Sequence, residues 1–205
     1  MSSAQTISLT EILDLAGDIP SEGILSILGR VAHKAKEGKI DLNAPPEEVA
    51  QLYQRFQSNE EVERTFSYLF AKAGEERKAG DAYSKLILFL EQRGAYGMAG
   101  DAAMEADRLF GGTLLFKVKA EELYERQIKQ MDEERSRGDE INEGYYDEML
   151  FKAGKIDPFR RSVEPKLKYW LGRGEFGVAA GMCDKLGRPQ EAKRYRQLAE
   201  ILKVS

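Results

Sequence analysis

Apolar residues recur along most of the chain at intervals of three and four positions, which is the spacing of one face of an α-helix. A clear example is residues 21–38, where Ser21 is suited to a helix start and Gly38 to a helix end. The next segment, 44–56, has two prolines and two acids near its start, the residue types favoured in a first helical turn. The apolar positions of the two predicted helices are Ile24, Leu28, Val31, Ala35, Val49, Leu52, Tyr53 and Phe56.

Two further helix starts are indicated by polar residues. Ser58 and Glu61 have the spacing of a capping box, in which the two side chains satisfy the first free backbone amides of a helix. Thr113 is expected to cap a long helix in the middle of the chain. The sequence therefore predicts a succession of helices.

Strand signals are weak by comparison. The short apolar runs KLILFL (85–90) and KLKYWL (166–171) are compatible with a strand or with a buried helix segment. No Asn-Gly or Asp-Gly turn lies between alternating segments. The fold class predicted from these patterns is all-α.

The chain also contains an internal repeat, in which position i corresponds to position i + 80. Lys-Ala-Gly at 72–74 recurs at 152–154, and Arg-Gly-x-(Tyr/Phe)-Gly-x-Ala at 93–99 recurs at 173–179. No gap is needed between the two matches, and the two copies cover about 70–106 and 150–186. Between the glycines of each copy there is room for one helix and a turn.

Each copy carries the pattern Gly-x-(Tyr/Phe)-x-x-Ala, formed by Gly94, Tyr96 and Ala99 and by Gly174, Phe176 and Ala179. This pattern resembles the centre of a tetratricopeptide repeat. In that family the glycine turns the chain, the aromatic residue packs between two helices, and the alanine allows their close approach. The chain departs from the family at Lys166, where leucine is usual. It also departs in the spacing of the copies, because units of the family follow one another in tandem with a much shorter period.

The resemblance implies a right-handed α-solenoid of antiparallel helix pairs. Residues 58–205 are expected to form this tetratricopeptide-like array. Residues 1–57 are expected to cap it or to form a small bundle of their own.

The resemblance also implies a function, that of a non-catalytic scaffold or adaptor that binds a partner peptide or protein in a helical groove. By position, the groove contacts would be Ser84 and Leu88 in the first copy and Arg161 and Lys168 in the second. Further basic residues are expected to extend a rim that suits an acidic partner through charge-assisted hydrogen bonds. These rim residues are Arg173, Lys193, Arg194 and Arg196.

One motif suggests a different function. Residues 172–177, Gly-Arg-Gly-Glu-Phe-Gly, match the dinucleotide-binding pattern G-x-G-x-x-G. That pattern requires a preceding strand, a following helix and then a second parallel strand. Only the segment 178–205 follows the motif, and it has a helical pattern. We therefore expect the glycines to serve a helix end and a turn, and we expect no cofactor.

The composition narrows the chemistry further. The single histidine, His33, and the single cysteine, Cys183, leave no set of ligands for a zinc site built from these residue types. The N-terminus lacks the basic start and apolar core of a signal peptide, and no apolar run approaches membrane-spanning length. These features predict a cytoplasmic protein that does not interact with membranes.

The uneven distribution of charged residues along the chain is compatible with two alternative functions. Lys152–Lys203 holds thirteen basic and six acidic residues, a net charge of +7 in a chain whose net charge is −4. This basic third mixes cations with aromatic residues, so a nucleic-acid-binding helical protein is the first alternative. The acidic stretch 121–148 is the basis of the second, a metal-dependent enzyme. The same stretch could instead pair with the basic third, within the chain or across a homo-oligomer.

Overall fold

A computed structural model describes residues 5–17, 19–112 and 114–203 of the chain. Within these ranges the chain forms two short strands and eleven helices. In chain order they are β1 (Gln5–Ser8), α1 (Leu9–Ala16), α2 (Ser21–Lys36), β2 (Ile40–Asn43), α3 (Pro46–Tyr53), α4 (Glu60–Lys72), α5 (Glu76–Gln92), α6 (Tyr96–Leu109), α7 (Leu114–Ser136), α8 (Glu143–Lys152), α9 (Ile156–Gly172), α10 (Phe176–Lys185) and α11 (Pro189–Lys203). The predicted cap at Thr113 lies outside the described residues.

Helices dominate the described chain, which confirms the predicted all-α character. The two ambiguous apolar runs, 85–90 and 166–171, are helical and lie within α5 and α9. None of the described helices is long and apolar enough to cross a membrane.

The sequence patterns did not predict the small parallel sheet that β1 and β2 form, with Gln5 opposite Ile40 and Ser8 opposite Asn43. Each strand is too short to display a convincing alternation of apolar and polar residues. The pairing also joins segments that are far apart along the chain, so no local pattern reports it. Leu42 of β2 is buried in the core beside helices of the same region.

The chain divides into two compact units, Met1–Leu123 and Tyr124–Ser205, and the division falls inside α7. The first unit has one large core to which α1, α2, α4 and β2 contribute, represented by Leu9, Leu28, Phe66 and Leu42. The predicted boundary near residue 57 lies inside this unit. In the second unit, Phe159 and Val163 of α9 pack against Leu150 of α8, while Leu167 packs with the helices that follow.

Glycine turns separate the consecutive helices of both copies of the repeat. Gly94 and Gly174 have φ angles of 72° and 75°, in the left-handed region that other residues enter at a cost. The amide of Gly174 donates to the carbonyl of Leu171, and the amide of Glu175 donates to that of Trp170. These two bonds define a Schellman motif. The motif G-x-G-x-x-G therefore lies at a helix end and turn, as predicted.

Four helix ends in one copy of the repeat correspond to helix ends in the other. Helix α5 covers positions 76–92 and α9 covers 156–172, so both ends of α9 lie at the i + 80 positions of the ends of α5. The last residues of α4 and α8 correspond in the same way, and so do the first residues of α6 and α10.

The start of α4 differs from the prediction. The cap is Asn59, whose Oδ1 accepts a hydrogen bond from the amide of Val62 at 3.1 Å. The Ser58 hydroxyl instead donates to the buried carboxylate of Glu63 at 2.5 Å. The capping-box prediction for Ser58 is wrong because the cap lies one residue later and the Ser58 hydroxyl bonds to a side chain of α4 instead.

Candidate functional site

Helix α9 separates apolar and basic residues onto different faces. Phe159, Val163 and Leu167 are buried against neighbouring helices. Arg161 and Lys168 are exposed, and because they are seven positions apart they lie on the same face, two turns from each other. Neither side chain forms an ion pair or hydrogen bond with any other residue that the structure describes.

Helix α11 presents further basic residues from the same unit. Ala192 and Tyr195 pack against α9 and α10, and the Tyr195 ring stacks on that of Phe176 with centroids 6.3 Å apart. Lys193 and Arg194 are exposed and have no charged or hydrogen-bonding partner in the described ranges. Arg196, in contrast, forms an ion pair with Asp184 of α10.

Arg173 lies at the C-cap of α9 and is held by an aromatic neighbour. Its guanidinium donates to the Tyr169 hydroxyl at 3.1 Å, and its central carbon lies 5.6 Å from the centre of that ring. Tyr169 is 56 % exposed, so the pair is accessible to a partner. An arginine over an aromatic face gains a modest cation–π stabilisation.

Two predicted groove residues belong to the other unit. Ser84 and Leu88 both lie on α5, and Leu88 is 54 % exposed. The Ser84 hydroxyl donates to the carbonyl of Gly80 at 2.9 Å, so its proton is already used within the helix. The structure therefore places the eight predicted contacts in two groups, Ser84 and Leu88 in the first unit and the six basic residues in the second.

The acidic stretch 121–148 pairs in part with the basic residues that follow it. Lys166 of α9 contacts Asp147 of α8 at 2.5 Å and Glu143 at 3.7 Å, and Lys155 pairs with Glu125. Among the described residues, no group of three or more His, Cys, Asp or Glu side chains is arranged to hold a metal ion. Several of these acids thus serve as internal counter-charges.

Sequence patterns did not indicate a cleft of about 570 Å³ in the first unit, between α2, α4 and α6. Its charged lining comes from Arg30, Lys36, Glu61, Arg64 and Glu105, and the imidazole of His33 also lines it. The period of α2 does place Arg30 and His33 on one polar face. The helical period does not show that α4 and α6 lie opposite this face. The sequence therefore indicated the polar face of α2 but not the cleft.

A fully buried carboxylate, that of Glu63, lies elsewhere in the first unit. Its Oε1 accepts hydrogen bonds from the hydroxyls of Tyr53, at 2.8 Å, and Ser58, while the Lys85 ammonium donates to the Tyr53 hydroxyl at 3.0 Å. Burial raises the pKa of Tyr53, and the hydrogen bond to Tyr53 raises the pKa of Lys85. The phenol therefore stays protonated and the amine stays charged at neutral pH, which suits a network that ties α3, α4 and α5 together.

Comparisons with known proteins add no assignment to this geometry. No family model matches the chain, and no match was found among curated proteins or among solved structures. The functional argument therefore depends on the residues and their contacts.

Proposed function

We propose that the chain is a non-catalytic scaffold, a tetratricopeptide-like solenoid that binds an acidic segment of another protein through basic residues of α9 and α11. The observation that supports this proposal is a set of cations without counter-charges. Among the described side chains of α9 and α11, four exposed cations have no partner, namely Arg161, Lys168, Lys193 and Arg194.

The neighbouring acids cannot readily neutralise these cations. Glu164 of α9 pairs with Arg188, and Asp184 of α10 pairs with Arg196. An acidic segment would supply the missing negative charges through charge-assisted hydrogen bonds. Because one exposed ion pair contributes only about 0–1 kcal/mol, we expect a partner with several acids in succession.

The test compares the wild-type chain with the double variant Arg161→Glu, Lys168→Glu. Affinity capture from a nuclease-treated lysate should retain a partner with an acidic segment on the wild-type chain and lose it on the variant. A synthetic peptide of that segment should then bind only the wild-type chain. Because both side chains are exposed, the melting temperature should change by no more than about 2 °C.

A matched control carries the same charge change on other exposed cations of the second unit, Lys129→Glu with Arg137→Glu. Their side chains are 80 % and 64 % exposed. This control should keep the partner. Equal loss in both variants would mean that only net charge matters, and the proposed surface would be wrong.

A nucleic-acid partner is the second candidate, and the exposed Tyr169 beside Arg173 favours it because a base can stack on an accessible ring. In that case capture would disappear after nuclease treatment. Binding of a single-stranded oligonucleotide would also weaken steeply with salt, because neutralised phosphates release counterions.

A further inference from the structure

The cleft between α2, α4 and α6 belongs to the first unit, and its charge pattern differs from that of the basic residues of α9 and α11. Its lining includes the small residues Gly29 and Ala32 of α2 and Thr65 of α4. A Cβ atom placed on Gly29 would lie 3.5 Å from the Thr65 hydroxyl oxygen, so the two helices approach closely there.

Most of the charges around the cleft are already neutralised. The Lys36 ammonium lies 2.5 Å from Glu105, which also accepts a hydrogen bond from the Tyr83 hydroxyl at 2.8 Å. Arg64 pairs with Glu60 at 3.0 Å, and His33 lies 3.5 Å from Glu37. These groups need no ligand.

Two lining residues of opposite charge differ from the rest. Arg30 of α2 and Glu61 of α4 are both exposed. Neither side chain forms an ion pair or hydrogen bond with any described residue, and the two side chains do not pair with each other. The cleft thus holds one free guanidinium and one free carboxylate on different helices.

We propose that this cleft binds a zwitterion, an amino acid or short peptide whose carboxylate contacts Arg30 and whose ammonium group contacts Glu61. A guanidinium suits a carboxylate because its planar donors bind both oxygens. A ligand with only negative charge would face Glu61 uncompensated, and one with only positive charge would face Arg30. The pair therefore selects for molecules that carry both charges.

The size of the cleft is consistent with this class of ligand. Its volume of about 570 Å³ lies within the range of roughly 300–1,000 Å³ usual for small-molecule sites. A free amino acid would leave part of this space to water, whereas a short peptide would fill more of it. Both ligands present the same two charged termini.

The first experiment uses the full chain and isothermal titration calorimetry. The probes are the common L-amino acids, tested singly, and a pool of random tripeptides, each with its N-acetylated and C-amidated forms. At least one free form should bind, and blocking either terminus should weaken binding about 10–100-fold through loss of one charge-assisted contact. Binding by single amino acids would identify them as the ligands, and binding by the tripeptide pool alone would identify peptides.

The second experiment exchanges the charges. Arg30→Glu and Glu61→Lys should each abolish binding, and the double variant should recover part of it because the site again carries both signs. Lys34→Glu on α2 and Glu76→Lys in the first turn of α5 are matched controls, since neither residue lines the cleft. Both controls should bind as the wild-type chain does.

Three results would overturn the proposal. They are the absence of binding by every free amino acid and tripeptide at millimolar concentration, equal binding of blocked and free forms, and equal loss in the control variants. The site is independent of the proposed scaffold surface, because the variant Arg161→Glu, Lys168→Glu changes no residue of the cleft and should bind the zwitterion normally.

Discussion

Helices α5 and α9, the central helices of the two copies of the repeat, have matching bounds, but their contacts with the preceding helices, α4 and α8, differ. At three pairs of positions 80 residues apart, Ser67, Ala82 and Leu86 correspond to Asp147, Ser162 and Lys166. In the second copy the Asp147 carboxylate accepts from the Ser162 hydroxyl and the Lys166 ammonium, both at 2.5 Å. In the first copy the equivalent of Lys166 is Leu86, an uncharged side chain that is 2 % exposed.

This difference explains the departure of Lys166 from the tetratricopeptide pattern. A lysine can replace a core leucine here because two other positions differ at the same time and supply a carboxylate and a hydroxyl. A buried charge without such partners would be strongly unfavourable. The same position of the repeat thus accepts either a buried leucine or an ion-paired lysine, provided that the residues at the other two positions change with it.

The largest expected effect concerns another position at which the copies differ. Ala79 of the first copy corresponds to Phe159 of the second, which is 1 % exposed and packs 5.3 Å from the Phe151 ring. Phe159→Ala should lower the free energy of unfolding by about 3–5 kcal/mol through lost burial and a cavity. Urea unfolding followed by the fluorescence of the single tryptophan, Trp170, measures this in the second unit.

The control for this prediction is Phe151→Ala, because Phe151 is 40 % exposed. It should cost less than half as much. Equal losses would show that the core of the second copy is not centred on Phe159.

The next prediction tests whether the three polar positions act together. Lys166→Leu alone should lower the free energy of unfolding by about 1–3 kcal/mol. The substitution removes the ammonium group that pairs with the largely buried Asp147 carboxylate, which then keeps only its hydrogen bond from the Ser162 hydroxyl at these positions. The triple variant Asp147→Ser, Ser162→Ala, Lys166→Leu copies the first repeat and should regain most of this loss. Urea unfolding measures both variants. If the triple variant is less stable than Lys166→Leu alone, the residues of the first copy cannot replace the ion-paired residues of the second.

The smallest expected effect concerns the glycine turns that the copies share. Gly94→Ala and Gly174→Ala should each cost about 1–2 kcal/mol, because both positions have left-handed backbone. Gly177→Ala should instead stabilise α10 by about 0.5–1 kcal/mol, since a Cβ atom there meets nothing within 4 Å. Thermal unfolding of the three variants checks this, and destabilisation by Gly177→Ala would point to a role for that glycine beyond the helix.

The sequence predicted the helices and their glycine ends well because both are local. Apolar spacing determines a helical face, and Gly174 alone decides where α9 can turn. The candidate site was only partly predictable. The exposure of Arg161 and Lys168 follows from the period of α9, but the neutralisation of Arg196 by Asp184 depends on how α10 and α11 pack.

The sequence by itself determined the helical class, the turns and the uneven distribution of charge, because each of these depends on residue type and short-range spacing. Only the tertiary structure decided the pairing of β1 with β2, the ion pair that replaces a core leucine, and the charges of the cleft that remain free. The physical reason is that counter-charges and strand partners come from segments far apart along the chain. Arg30 and Glu61 share a cleft only because α2 and α4 pack side by side.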